Sequence, residues 1–141
     1  MERASALCKA AGAKRAVSLP VSAPFHCALM RPAQDRLEKD LSAITFRDPD
    51  PPLVNNVDAR PVQSGAECRE GLVRQVSAPV RWQESVEQLL SAGVSTFVEV
   101  GPGSVLVGLV RKIAKEARVA NVEDAKGLEG ALLLAAAGEA S

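Results

Sequence analysis

The stretch Thr96-Phe97-Val98-Glu99-Val100-Gly101-Pro102-Gly103-Ser104 and the segment VLVGLVRKI that follows it decide the fold class. Residues 96–100 are mostly β-branched, aromatic or apolar, which predicts a strand, and residues 101–103 predict a tight turn. Residues 105–113 predict a helix, whose inner face carries Val105, Leu106, Leu109, Val110 and Ile113. Basic residues complement the dipole at its end: Arg111, Lys112 and Lys115. This order of strand, turn and helix indicates an α/β fold with a largely parallel sheet.

The rest of the chain also alternates helices with short strands. Apolar spacing together with glycine or proline stops predicts helices over residues 2–11, 28–43, 66–76, 82–90 and 127–137. Short apolar runs predict strands over residues 16–21, 53–57 and 119–120. In the helix over 28–43, an apolar residue recurs every fourth position and forms one face: Leu29, Ala33, Leu37 and Leu41. The alternation along the whole chain therefore supports the α/β class.

A second interpretation of the glycine turn is a phosphate-binding loop. Glycines allow backbone N–H groups to approach an anion at a helix N-terminus. However, the sequence contains neither G-x-x-x-x-G-K-[ST] nor G-x-G-x-x-G, and Pro102 removes one donor. We therefore expect Gly101–Gly103 to be a structural turn between strand and helix.

The composition excludes several function classes. The chain has 141 residues, the size of one domain, with 47% hydrophobic and 24% charged residues, which is ordinary for a soluble fold. Seventeen basic and seventeen acidic residues give a net charge of zero, so nothing favours binding to nucleic acid or to a membrane surface. No apolar run approaches the roughly 18 residues of a membrane span. The N-terminal residues lack the hydrophobic segment of a signal peptide.

The cysteine content predicts a reducing compartment. Cys8, Cys27 and Cys68 are an odd number without a C-x-x-C pair, and one histidine is available beside them. This set makes neither a convincing disulfide framework nor a zinc site. We expect a cytoplasmic protein without a bound metal.

The single histidine, His26, is the main candidate for proton transfer. It follows Pro24 and Phe25 and lies where a predicted strand passes into a predicted helix, a position at which open α/β sheets place functional groups. The alternative, a hydrogen-bonded structural histidine, stays open from these residues alone. Cys27 does not form a dyad with its neighbour, since adjacent side chains of an extended segment point to opposite faces.

Three cations lie close to His26 in the sequence. Lys14 and Arg15 come before the segment that leads to His26, and Arg31 comes after it. Surface charges are usually only solvated, but these three form the one local basic patch that we expect to meet an acidic partner.

Five ordered motifs resemble one known family. They are VSAPFHCALM at 21–30, R-P-A-x-x-x-L at 31–37, P-x-V-N-N-V-D at 52–58, L-V-R-Q-V-S-A-P-V-R-W at 72–82 and V-E-V-G-P-G-S-V-L-x-G-L at 98–109. Together they are similar to the C-terminal part of the malonyl-CoA:acyl-carrier-protein transacylases of type II fatty acid synthesis. They cover nearly the whole chain.

The resemblance implies a ping-pong acyl transfer. In that family a serine in a G-H-S-x-G motif receives the malonyl group from malonyl-CoA, and the phosphopantetheine thiol of acyl carrier protein then removes it. His26 matches the general base, and Gln75 matches the residue whose backbone carbonyl orients it in place of a triad carboxylate. Phe25 matches a position associated with the choice of malonyl over methylmalonyl. No cofactor or metal is implied, and Lys14, Arg15 and Arg31 become candidates for carrier-protein docking.

The resemblance also implies an architecture of which this chain is one part. The expected fold is an α/β-hydrolase-like large domain interrupted by a ferredoxin-like small subdomain. Residues 1–20 match the last helix and strand of that subdomain, and residues 21–141 match the C-terminal part of the large domain. G-H-S-x-G is absent from the sequence; in the family it lies upstream, in an N-terminal half that we expect to be the partner of this chain. The alternatives are a catalytically inactive truncated or split-gene fragment, or a module that binds carrier protein without chemistry.

Overall fold

The computed structural model describes residues 2–18 and 21–136. Its helices are α1 (Glu2–Ala10), a 3-10 helix (Ala28–Met30), α2 (Arg31–Ser42), α3 (Gly65–Gln75), α4 (Trp82–Ser91), α5 (Val105–Ile113) and α6 (Ala125–Ala136). Its strands are β1 (Leu53–Val54), β2 (Pro61–Val62), β3 (Thr96–Val100) and β4 (Arg118–Val122).

The stretch that decides the fold class forms a parallel strand–helix–strand unit. β3 pairs with β4 in a parallel register that runs from Thr96 opposite Arg118 to Val100 opposite Val122. α5 connects the two strands, as a parallel pair requires. The α/β prediction is confirmed. β4 is longer than the strand predicted at 119–120: it begins one residue earlier and ends two residues later.

The core lies where α4 and α5 cover this unit. Val86, Val110 and Ala114 are its buried centre, and half-buried side chains pack around them: Trp82, Leu90, Phe97, Ile113, Ala117 and Val119. Val86 is the most deeply buried, with 1% of its surface exposed. The predicted inner face of α5 is correct for Val110, which is buried, and for Leu109 and Ile113, which are half-buried. It is wrong for Val105 and Leu106, which are 71% and 41% exposed, and Val107 is buried instead.

A two-stranded antiparallel hairpin lies before α3. β1 and β2 pair through Leu53 with Val62 and Val54 with Pro61. The strand predicted over 53–57 therefore ends at Val54, because the Asn55 side chain begins a turn by accepting a hydrogen bond from Asp58 N at 2.9 Å. β2 was not predicted, since two residues are too few to show a period.

The strand predicted over 16–21 is not found at residues 16–18 or at Val21, and Leu19 and Pro20 lie outside the described residues. A strand is defined by its hydrogen bonds to a neighbour. In the described part of the chain, the paired strands are β1 with β2 and β3 with β4, so residues 16–18 have no strand beside them.

Many large apolar side chains remain exposed. The exposed fractions reach 80% for Val100 and 74% for Leu29. Leu29 begins the apolar face predicted for α2, of which Leu37 and Leu41 are half-buried while Ala33 is exposed. This much exposed apolar surface is typical of a face that is covered by further protein.

Candidate functional site

A tight backbone turn presents the His26 ring. Pro24 fixes its own φ, and the Cys27 thiol donates a hydrogen bond to Pro24 O at 3.2 Å. Met30 N then donates to Cys27 O at 2.9 Å and begins the 3-10 helix that leads into α2. His26 has a φ of +58°, the left-handed region, which costs a residue with a side chain about 1–3 kcal/mol and clusters at functional sites.

The imidazole contacts the C-terminal end of α3. His26 Nδ1 lies 3.0 Å from the backbone oxygen of Gln75, the last residue of α3. Carbonyls in the last turn of a helix lack partners within the helix. For Gln75 the N–H four residues on would belong to Pro79, which has none. The position of Pro79 therefore leaves the Gln75 carbonyl available to histidine.

This geometry selects the tautomer of His26. A carbonyl oxygen only accepts, so the proton of a neutral imidazole lies on Nδ1 and the lone pair lies on Nε2. The Gln75 side-chain nitrogen is also 3.5 Å from Nδ1, but its hydrogens point to Ala78 O at 3.2 Å and Pro79 O at 3.4 Å. Because the contact to the carbonyl is the shorter one, it selects the tautomer with the proton on Nδ1, and Nε2 is left free to accept a proton.

The turn Asn55–Asp58 holds the end of α3. Asp58 accepts two hydrogen bonds from the Arg74 guanidinium, each at 2.6 Å, and one from Asn55 Nδ2 at 3.0 Å. These bonds, those from Arg74 above all, hold the pKa of the Asp58 carboxyl well below its usual range, because they favour the charged form. Sequence reasoning did not single out Asp58 or Arg74. The only signal was that both residues lie in the quoted motifs.

The other predicted site residues are spread around His26. Phe25 is 56% exposed. Lys14, Arg15 and Arg31 are exposed, and their side chains form no salt bridge or hydrogen bond with other residues of the described ranges. Arg31 begins α2, while Lys14 and Arg15 follow α1. The structure therefore brings His26 and Gln75 into direct contact, and the roles of all six residues stay predictions.

The glycine turn does not offer its helix N-terminus to a phosphate. The Glu99 carboxylate accepts from Leu106 N at 3.1 Å and from Val107 N at 2.9 Å. Gly101 and Gly103 have φ values of +144° and +82°, a backbone region that favours glycine, and Gly103 N donates to Glu123 at 2.8 Å. The turn is structural, as expected, because a carboxylate of the chain already occupies the donors that an anion would use.

An apolar cavity is lined in part by Gln75. It has a volume of about 200 Å³ and is lined partly by Leu53, Cys68, Leu72 and Gln75. Leu53 and Leu72 are 42% and 50% exposed.

Within residues 2–18 and 21–136, none of the helices combines the length and apolar character needed to span a bilayer.

Solved structures share this fold closely. An acyl-carrier-protein S-malonyltransferase from Burkholderia pseudomallei superposes with a TM-score of 0.87 and 43% identity, covering 93% of this chain and 43% of that one. A type II PKS acyl-carrier protein in complex with its malonyl-transacylase contains a chain that matches with a TM-score of 0.87 and 50% identity, with coverages of 93% and 42%. The class that fold and site define is therefore the acyltransferases.

Curated relatives narrow the class to one family. The malonyl CoA-acyl carrier protein transacylase of Escherichia coli strain K12 is 48% identical over 134 residues, which is 95% of this chain and 43% of that protein. No protein-family model matches the chain. The chain belongs to the malonyl CoA-acyl carrier protein transacylase family, and it spans less than half the length of the relatives that it matches.

Proposed function

We propose that the chain supplies the general base for transfer of a malonyl group from malonyl-CoA to the phosphopantetheine thiol of acyl carrier protein, in fatty acid biosynthesis. The observation that carries the proposal is the 3.0 Å contact between His26 Nδ1 and the Gln75 carbonyl. It places the ring in the tautomer that a general base needs. Membership of the family supports the substrate and the carrier.

In this proposal the nucleophile is a serine from a segment outside this sequence. His26 Nε2 accepts the serine proton as the oxygen attacks the thioester carbonyl, and the C–S bond to coenzyme A then breaks. The departing thiolate takes the proton from His26. In the second half-reaction His26 accepts the proton of the carrier thiol, which attacks the serine ester, and the serine leaves with that proton. The Gln75 carbonyl and the C-terminal end of α3 stabilise the positive charge that develops on the ring.

Phe25 and the three cations are assigned to recognition. Phe25, next to His26 and half exposed, would narrow the space beside the acyl group and disfavour an added methyl. Lys14, Arg15 and Arg31 would attract an acidic carrier protein, since their charges are exposed and unpaired among the described residues. No cofactor or metal takes part, and the reaction would take place in the cytoplasm.

Exposed apolar surface supports the need for a further segment. Val100, Leu29 and Val105 expose 80%, 74% and 71% of their surface, and burying such side chains stabilises a protein by about 1.5–3 kcal/mol each. A segment that carries the nucleophile would cover part of this surface.

The test is malonyl transfer by a fusion protein. The 141-residue chain is joined to the part of the E. coli relative that it does not match, and labelled malonyl-CoA and holo acyl carrier protein are added. We expect a labelled serine ester and labelled carrier, whereas the unfused chain takes up no label. A correctly folded fusion that forms no ester would contradict the proposed function.

The second candidate, a carrier-binding module without chemistry, is favoured for the unfused chain by the absence of G-H-S-x-G. It is tested by carrier binding at increasing salt. Reversal of charge at Lys14, Arg15 and Arg31 should weaken binding several-fold at low salt, and the same reversal at Arg111, Lys112 and Lys126 should not. Equal affinities for the two triple variants would remove the docking assignment.

A further inference from the structure

The turn Asn55–Asp58 contacts both ends of the segment that carries the Gln75 carbonyl. At the start of this segment, Arg74 donates two hydrogen bonds to the Asp58 carboxylate at 2.6 Å. At its end, Arg81 N donates to Asn56 O at 2.9 Å, and Arg81 Nη1 donates to Asp58 O at 2.9 Å. Residues 74–81 are therefore attached to one turn at two points.

The segment needs such external support because it has few bonds of its own. Pro79 offers no N–H, and the backbone bonds of the segment are Val76 N to Val73 O at 3.4 Å and Ala78 N to Arg74 O at 3.1 Å. The Ser77 hydroxyl also donates to the Gln34 side chain of α2. The Gln75 side chain bridges to Ala78 O and Pro79 O at 3.2 and 3.4 Å. A chain held this loosely at a helix end would let the carbonyl move, and hydrogen bonds weaken steeply with misalignment.

The Asp58–Arg74 pair has the geometry of a rigid contact. It is bidentate, which fixes the guanidinium plane as well as its distance. The Asp58 side chain is 20% exposed and that of Arg74 38%, and Asp58 is itself fixed by Asn55 through bonds of 2.9 and 3.0 Å. Arg74 directly precedes Gln75, so a shift of its backbone moves the carbonyl that His26 contacts.

We propose that Asp58 and Arg74 are positioning residues for His26: their ion pair, on the turn Asn55–Asp58, aims the Gln75 carbonyl at Nδ1 and so keeps Nε2 free. The inference deepens the proposed function and rests on it, because aiming the carbonyl matters only if His26 is the base. Neither residue touches the substrate in this scheme. They act through Gln75.

The test reads the tautomer of His26 directly, without catalysis. His26 is the only histidine of the chain, so ¹⁵N labelling of histidine gives one pair of ring nitrogens in the 141-residue protein. For the neutral ring we expect Nδ1 in the N–H range and Nε2 in the unprotonated range. Asp58→Asn should move both signals toward intermediate values. Glu87→Gln is the matched control, because its carboxylate lies on α4, accepts from the Gln83 side chain at 2.8 Å and shares no partner with Asp58 among the described residues.

Each outcome decides the question. A folded Asp58→Asn protein with the wild-type tautomer overturns the inference, as does a wild-type chain whose ring signals are those of a free imidazole. If Asp58→Asn does not fold, the tautomer is measured in Arg74→Lys, since lysine keeps the charge and loses the bidentate fork. An unchanged tautomer in that folded variant also overturns the inference. The proposed function is tested separately by a fusion protein that carries His26→Ala. If that fusion transfers malonyl at the full rate while the tautomer responds as expected, the proposed function is refuted and the positioning role remains.

Discussion

Glu99 is expected to be a main stabilising residue of the strand–helix–strand unit. Its carboxylate, on β3, accepts from Leu106 N at 3.1 Å and from Val107 N at 2.9 Å, two N–H groups at the start of α5. The Ser104 side chain, at the N-cap position, makes no capping bond. Glu99→Ala therefore leaves two helix donors without their partner, and the loss of a capping residue costs about 0.5–2 kcal/mol.

We work the magnitude from these two bonds. Because the carboxylate satisfies two donors, we expect a loss at the upper end of that range, about 2 kcal/mol, in a domain whose total stability is about 5–15 kcal/mol. With a urea m-value of about 2 kcal/mol per M, the midpoint of unfolding falls by about 1 M. The fluorescence of Trp82, which packs on the core, reports the transition.

Glu123→Ala is the matched control for this experiment. Its carboxylate makes one bond, to Gly103 N at 2.8 Å in an exposed turn, so the expected loss is within about 0.5 kcal/mol. Equal midpoints for Glu99→Ala and Glu123→Ala would refute the assignment of Glu99. The occupied helix terminus also predicts that inorganic phosphate raises the wild-type midpoint no more than chloride at equal ionic strength. A larger, saturable effect of phosphate would reopen the phosphate-loop interpretation.

Three further predictions follow from burial, charge and backbone chemistry. Val86→Ala removes two methyl groups from a side chain that is 1% exposed and should cost about 2–3 kcal/mol in urea unfolding, whereas Val100→Ala, at a position 80% exposed, should cost less than about 0.5 kcal/mol. Folding lowers the pKa of Asp58, so the contribution of its carboxylate to stability is complete above the unfolded value of about 3.8 and is lost as the pH falls below that value. The difference in unfolding free energy between wild type and Asp58→Asn should therefore be constant from pH 7 to 5 and shrink below pH 4. A difference that grows below pH 4 would contradict the assignment. Pro79→Ala restores an N–H that competes for the Gln75 carbonyl, so the Nδ1–H form of His26 should decline in the ¹⁵N spectrum, while Pro102→Ala should leave it unchanged.

The parts of the fold that were predictable from the sequence are those with a regular period. The strand Thr96–Val100 was predicted with the bounds that the structure has, because a β-branched run, a glycine turn and an apolar stripe all agree there. The helix after the turn was also predicted, although its basic last turn was expected to include Lys115 and the helix ends at Ile113. The strand expected at residues 16–21 carries the same alternation, yet residues 16–18 have no strand beside them. The spacing of apolar residues indicates that a segment can form a strand, but the strand forms only where a neighbouring strand pairs with it by hydrogen bonds.

The site was predictable only in part. His26 could be singled out as the sole histidine of the chain, and Gln75 came from resemblance to a family, because a backbone carbonyl leaves no signature in its own side chain. The freedom of that carbonyl depends on Pro79, four residues on, and its support depends on Asp58, which is sixteen residues from Arg74 in sequence. Contacts of that separation are determined by how the hairpin packs on α3, and no local pattern records them.

The central claim is that His26 is the general base of malonyl transfer, and His26→Ala in the fusion protein tests it most directly. Cys27→Ala is the matched control, since Cys27 is the neighbour of His26 and its thiol makes a hydrogen bond to Pro24 O, not to the imidazole. We predict that His26→Ala lowers the rate of formation of the labelled serine ester by at least about 10²-fold, the scale of a lost general base, with Cys27→Ala within a few-fold of wild type. A His26→Ala protein that is folded and forms the ester at the wild-type rate would contradict the claim.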